Sequence, residues 1–578
     1  MDSAEKKCYN VIMKALPDRR GSPANLSPVS GNLPGGRAGA ALTFAEKKRR
    51  VKLAASVDFF FYEIKRGENK VMSYLLGIDI GTSGTKTVLF DESGNPVSGV
   101  TSEYPLYQPR AGWAEQRPED WWEAVKSSVS GAVADSGVAP DEIAGIGLSG
   151  QMHGLVMLDK NGEVLRPSII WCDQRTSAEC ELMNELAGRE KLIEITANPA
   201  MTGFTASKLL WVMRNEPEIY EKCAHVLLPK DYIRYKLTGE FAAEVSDGSG
   251  MQLMNVSERR WSTELISVLG LDAGMLAPLF ESVEVTGCVS GEAAELTGLK
   301  AGTPVVGGAG DQAAGGVGNG IVTPGAVSAT VGTSGVVFAH TENMTTDPRG
   351  RVHTLCHAVP GCWHVMGVTQ AAGLSLKWFR DNFCASEKET AGLMGVDPYF
   401  LMDREAENSA PGCGGLFYLP YLMGERTPHL DPDARGAFIG LTARHTKNDM
   451  LRAVMEGVGY SMKDCLEIIR GMGVPVKEIR VSGGGGKSGL WRQMMADMFG
   501  RPVVTTESSE GPALGAAILA GAGTGVYSSV QEGCKVCVRP KTVQKCVREN
   551  AAVYKKAYPV YKKLYRSLKG DFGAIAKL

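Results

Sequence analysis

No stretch of this 578-residue sequence stays apolar for the length a membrane-crossing helix requires; the most apolar early run, Val51 to Tyr62, is broken by Lys52 and Asp58. A secretory leader, with its apolar segment and small-residue cleavage site, is also lacking. Neither sign of charge is in surplus: 62 Lys and Arg face 64 Asp and Glu, for a formal net charge of -2. That balance argues against nucleic acid or an anionic membrane as the main partner. The eight histidines contain no HExxH or comparable ligand spacing. The thirteen cysteines form no disulfide framework, and the lone CxxC of Cys534 and Cys537, with Cys546 nearby, has no second pair to complete a zinc site. We therefore expect a protein of a reducing cytoplasm, without a protein-ligated transition metal.

Glycine is abundant, with 70 residues concentrated at a few loops. The densest informative stretch is Val305 to Gly316: a short apolar strand, a glycine turn, and an Ala/Gly-rich helix start. Asp311 stands where loop becomes helix. It can be read as an N-cap, which Asp favours, or as a general base approached closely because its neighbours are glycine.

Residues 1–71 read differently from the rest. A Pro/Gly/Ser-rich patch, Gly21 to Gly39, and a basic run, Lys47 to Arg50, supply no regular apolar stripe. Met72 directly precedes a strong strand pattern, and we expect it to be the biological start; a mature chain that keeps Asp2 in mass spectrometry of the native N-terminus would refute this. A disordered tail or a targeting segment are the other readings of 1–71, the latter weakened by its acidic residues.

From Tyr74 the pattern is strand, Gly81-Thr82-Ser83-Gly84 turn, strand. A helix opens at Pro118 with Trp121, Val125 and Val129 on one face. A buried strand, Ile143 to Leu148, runs into Ser149-Gly150-Gln151-Met152-His153, and a short strand, Ser168 to Trp171, runs into Cys172-Asp173-Gln174-Arg175. Helices are expected near 176–188 and 207–214 and a strand near 302–307, an alternation that predicts α/β architecture with a partly parallel sheet. The second half reopens like the first: Val327 to Val331, then Gly332-Thr333-Ser334-Gly335, then Val336 to Phe338. Two copies suggest two related domains facing each other, 72–319 and 320–578. Tyr554, Tyr558, Tyr561 and Tyr565 form a packing stripe on a terminal helix.

Several clusters can carry chemistry. Gly483 to Ser488 approaches a phosphate loop, but the glycine that loop needs is Val481, leaving either an anion-binding set of amides or a bare strand-to-helix turn. Asp79 with Thr82 and Ser83 can hold hydrated Mg²⁺ and contact a γ-phosphate, or form a polar hairpin. Met152 and His153 follow a strand end, where α/β proteins place ligands. Trp171, Asp173 and Arg175 suit a polyol, or form a loop ion pair.

Seven motifs in order resemble the FGGY carbohydrate kinases of the actin-like ATPase superfamily: Tyr74 to Lys86, Gly150 to Gly154, Leu227 to Tyr232, Gly308 to Gln312, Val331 to Gly335, Tyr418 to Pro428 and Gly511 to Gly515. The resemblance covers 74 to about 568. It implies two ribonuclease-H-like domains with ATP and a sugar in the cleft between them. Asp311 then matches the catalytic base, and Asp79 the carboxylate near Mg²⁺, acting through water. Met152, His153, Trp171, Arg175 and Gln312 become the acceptor contacts. Gly81, Thr82, Ser83, Gly332, Thr333, Ser334, Gly484, Gly485 and Ser488 fall where phosphates and adenosine bind. Gln151-Met152-His153 leans toward the branch acting on D-xylulose, with L-ribulose, gluconate or glycerol as alternatives, and a sugar sensor or actin-like chaperone ATPase as rivals of another class. A homodimer is compatible with the resemblance.

Overall fold

In the computed structural model, residues 73–578 are described; the expectations for 1–71 lie outside them. The chain forms two seven-stranded sheets with helices around them. In the first, β1 (Tyr74–Ile80) pairs antiparallel with β2 (Gly84–Phe90), which pairs with β3 (Pro96–Glu103). The helix α1 (Pro118–Ser136) covers this hairpin layer with Trp121, Val125 and Val129 fully buried. Next comes β4 (Ile143–Gly150), buried along its whole length and parallel to β1, the period-free apolar run expected of a strand covered on both faces. The sheet is completed by β5 (Val285–Cys288), β6 (Pro304–Val306) and the short β7 (Ala309–Gly310), which runs beside the end of β4. Helix α2 (Asp311–Gly318) follows at once.

The second sheet repeats the plan. β8 (Gly325–Val331) pairs antiparallel with β9 (Gly335–Thr341) and parallel with a strand that arrives much later. β10 (His353–Cys356) and β11 (Trp363–Thr369) extend one side. The long helix α3 (Lys447–Gly471) buries one face on this sheet, and β12 (Val476–Ser482) is the late parallel partner of β8. Helix α4 (Gly489–Phe499) leads to β13 (Val503–Thr506). Thus β2-β1-β4 and β9-β8-β12 are the same arrangement, each hairpin carrying one Gly-Thr-Ser-Gly turn.

The next helix, α5 (Gly511–Gly523), departs from the expected partition. Although it follows the second sheet in sequence, it lies on the first: a Cβ at Gly77 of β1 would stand 2.0 Å from the Ala513 carbonyl oxygen, and one at Gly147 of β4 would stand 1.9 Å from that of Ala516. It also lies against α2, where Gly515 faces the Ala314 oxygen at 1.9 Å by the same measure. Only bare backbone permits such approach. The stretch 320–578, expected as one unit, therefore shares a helix with the other half.

The chain closes with β14 (Pro540–Gln544) and α6 (Arg548–Ile575). The tyrosine stripe of α6 is buried, and each hydroxyl is satisfied: Tyr554 donates to Glu456, Tyr558 to Asp464 and Tyr565 to Asp431, while Tyr561 pairs with Tyr421. Cys534 and Cys537 are buried free thiols, one directed at the Val317 carbonyl. Among the described residues no helix is long and apolar enough to cross a membrane.

Candidate active site

Strand register decides which acidic groups meet. Asp79 on β1 stands opposite Ser149 on β4, and Ile80 opposite Gly150; on the other side of β4, Gly310 also stands opposite Gly150. Asp79 and Asp311 therefore emerge one strand apart at the carboxyl edge of parallel strands, the ligand-binding edge of open α/β sheets. Ser149 Oγ donates to Asp79 Oδ1 at 2.8 Å, and no donor among the described residues reaches the other oxygen. Burial raises the Asp79 carboxyl above its ordinary range, against the pull of Ser149 and Lys86. Lys86 is itself ion-paired to Glu510, just ahead of α5.

Asp311 is the first residue of α2, with Gly310 in the cap position and no capping hydrogen bond from the Asp311 side chain, so the N-cap reading is not realised. Its only side-chain partner is its neighbour, Gln312 Nε2, at 3.3 Å. Burial and then the nearby Asp79 charge push Asp311 up to about 7, the range a general base at neutral pH needs.

His153 has left-handed backbone geometry, φ 69°, uncommon for a residue with a side chain. The fully buried Lys208 holds it there, its Nζ donating to the His153 carbonyl at 2.8 Å, joined by Thr205 Oγ1 at 3.1 Å. Burial lowers Lys208 to about 7. The imidazole stacks on Phe204 at 4.1 Å, and its Nδ1 lies 3.0 Å from the Gly250 carbonyl. Met152 packs on Gly310, where an added Cβ would approach its side chain to 2.8 Å, and so forms a wall beside Asp311. Below lies a closed polar cluster: Lys230, fully buried, contacts Asp231 at 2.7 Å, Asp247 at 3.4 Å and Glu244 at 3.6 Å. Ser246, which donates to Glu244, accepts the Gly310 amide at 3.2 Å and ties the cluster to the turn before Asp311.

The loops expected to hold phosphates divide into two groups. Gly81 to Gly84 is a closed hairpin braced from within: Gln116 donates to the Thr82 carbonyl at 2.7 Å, and Tyr104 and Gln151 donate to that of Gly81. On the second sheet, Gly485 lies against Val331, where an added Cβ would stand 2.5 Å from the valine methyl; Gly332 to Ser334 and Gly483 to Lys487 are thus neighbours. A cavity of about 820 Å³ runs from Asp311 and Gln312 past Thr330 and Ser482 to Gly483 and the start of α5 at Gly511. Glycine amides and a helix N-terminus at its walls suit an anionic ligand.

Three expected contacts sit elsewhere. Arg175 is enclosed, bound to Asp173 and Glu115 with its guanidinium 3.6 Å from the Trp113 ring centre; the loop ion pair is the realised alternative, because three buried partners already absorb the charge. Ser488 caps α4 by accepting the Trp491 amide at 3.0 Å, a local demand that uses its hydroxyl. Trp171 is 43% exposed and its indole N–H donates to Thr82 Oγ1 at 2.9 Å, joining the acceptor loop to the hairpin. Lys208, Lys230 and Ser149 carry no sign of their roles in the sequence; the Leu227 to Tyr232 motif contains Lys230 but shows none of its partners.

Residues 74–318 match the family model described as "FGGY family of carbohydrate kinases, N-terminal domain", and 327–524 match its C-terminal domain. The chain belongs to this family. It is an FGGY carbohydrate kinase with the two-domain, actin-like α/β fold. It is 39% identical to the xylulose kinase of Bacillus subtilis over 86% of this chain and 98% of that protein, and 41% identical to the Escherichia coli xylulose kinase over 77% and 89%. Among solved structures it resembles a Brucella ovis xylulose kinase, with 36% identity, a TM-score of 0.78 and coverage of 86% of this chain and 99% of that one. A Lactobacillus acidophilus gluconate kinase shares 27% identity with a TM-score of 0.81, covering 87% and 100%.

Proposed function

We propose that this FGGY kinase transfers the γ-phosphoryl group of ATP to the terminal hydroxyl of D-xylulose, giving D-xylulose 5-phosphate and ADP. The carrying observation is Asp311: a carboxyl raised toward neutrality, one strand from Asp79, at the end of a glycine-walled cavity. Asp311 accepts the proton as the acceptor oxygen attacks phosphorus; Met152 and His153 hold the sugar, and the Gly332 to Ser334 and Gly483 to Gly485 amides hold the phosphates. Phosphoryl transfer depends mainly on positioning and on neutralising charge, so rigid loops and converging carboxylates suit it.

The donor set fits a hydrated Mg²⁺. Asp79 keeps one oxygen free of protein donors, Lys86 is already paired with Glu510, and the described residues contain no cluster of three or more ligating side chains. When bound, the ion supplies charge neutralisation for the polyphosphate. The test is a coupled ADP assay across D-xylulose, L-ribulose, gluconate and glycerol. D-Xylulose should give the highest kcat/KM; a preference for gluconate would replace this reading with that of the gluconate-phosphorylating relatives.

A further inference from the structure

The motif Tyr418 to Pro428 takes no part in the chemistry above, and its two charged residues behave oppositely. Glu425 is buried and fully engaged: Thr369 Oγ1 donates to it at 2.6 Å, Ser461 Oγ at 3.0 Å, and the Gln370 and Arg426 amides at 3.0 and 2.8 Å. The Arg426 guanidinium makes no hydrogen bond or ion pair with any described residue, although burial disfavours its charge and only Glu425 opposes that. The chain around it is fixed: the Thr427 amide donates to Val368 on β11 at 2.9 Å, and Thr427 Oγ1 to the Arg351 carbonyl at 2.7 Å. A half-buried cation held in place without a partner calls for an explanation.

Its surroundings supply one. The Arg426 charge reaches His153 of the first half and His353 of β10, whose rings lie on either side of Phe204 at 4.1 and 5.7 Å. His353 is bridged to the first half through Asn198 at 3.0 Å. Arg426 therefore belongs to the acceptor pocket while being carried by the opposite half.

The hydrogen-bond senses of the two groups are complementary. A carbonyl only accepts, so His153 Nδ1 carries the proton it shares with Gly250 and Nε2 presents a lone pair. Burial and the neighbouring Lys208 charge keep the ring neutral. A guanidinium only donates. The pocket thus offers an acceptor from one half and donors from the other.

We infer that Arg426 is the acceptor-specificity residue contributed by the C-terminal half, donating to a carbonyl oxygen whose neighbouring hydroxyl is taken by His153 Nε2. The chemical class selected is an α-hydroxyketone, over a polyol of the same length. This rests on the ketose reading proposed above.

The experiment compares Arg426→Gln, Arg426→Lys and the unmodified full-length protein on D-xylulose and on xylitol, which has an alcohol in place of the carbonyl. Removing the donors should lower kcat/KM for D-xylulose by about 10²-fold, mostly through KM, because a site built to hydrogen-bond one group discriminates strongly by it. Activity on xylitol should change less than about threefold, and KM for ATP should hold, so the ketose-to-polyol ratio collapses. Arg426→Lys should keep part of that ratio and carries the test if the Gln variant does not fold. Equal losses on both substrates, or an unchanged ratio, would overturn the inference. Failure of the unmodified protein to phosphorylate D-xylulose would instead overturn the ketose reading.

Discussion

At the scale of single residues, Asp311 makes two demands that pull against each other. A base must be ionised to work, yet burial and the Asp79 charge hold its proton up to about 7, against 3.8 for a free Asp. Turnover should therefore rise as pH increases through about 7, which a pH profile of kcat will show. Asp311→Asn should lower kcat by about 10²–10⁴-fold while leaving acceptor affinity in place, measured by steady-state kinetics and calorimetric titration of the sugar. The same shift has a stability sign. The folded state holds this proton more tightly than the unfolded chain, so the stabilisation is complete below about pH 4 and is lost as pH rises toward 7. Melting curves should show Asp311→Asn gaining on the unmodified protein across that interval and keeping the gain above it. The carboxylate and its glycine setting were legible in the sequence because both are local. The raised proton affinity was not, since it comes from Asp79, more than two hundred positions away and brought near only by the pairing of β4 with β1 and β7. Arg175 and Ser488 failed for the same reason in reverse: nearby partners, Asp173 and Trp491, had already taken them.

At the scale of elements, the Gly-Thr-Ser-Gly hairpins, the strand at 143–150 and the helix from Pro118 follow the sequence pattern closely, because period and turn chemistry are short-range signals. The placement of α5 does not follow from such signals. Its Ala/Gly composition announces close packing without saying on what, and the answer is a sheet formed several hundred residues earlier. Gly147→Val should test that contact: a side chain there meets the Ala516 backbone, and the cost should be about 1–3 kcal/mol or more, read as a lower urea midpoint with unchanged slope. Lys208→Met should act on the acceptor side alone. Without the ammonium that holds the His153 carbonyl, the left-handed turn relaxes; KM for the sugar should rise about tenfold while KM for ATP stays, as substrate titrations will report.

At the scale of the whole molecule, the duplicated plan places one hairpin and one glycine loop on each side of the cavity, with Asp311 at one end. That duplication was readable from two copies of a tetrad. The bridging contacts were not: Asn198 to His353, Lys86 to Glu510 and Arg259 to the Cys362 carbonyl each join residues far apart in sequence with no pattern in common. Such bridges make closure of the halves a single event that depends on both substrates. Small-angle scattering should show the radius of gyration falling when D-xylulose and a non-hydrolysable ATP analogue are present together, and by less with either alone.

The position of α5 also bears on how the molecule is made. During synthesis the glycine-lined faces of Gly77 and Gly147 leave the ribosome long before residues 511–523 exist to cover them. Until then the nascent first half carries an open apolar face, a natural client for a holding chaperone, and a ribosome stalled before residue 511 should release a product that aggregates.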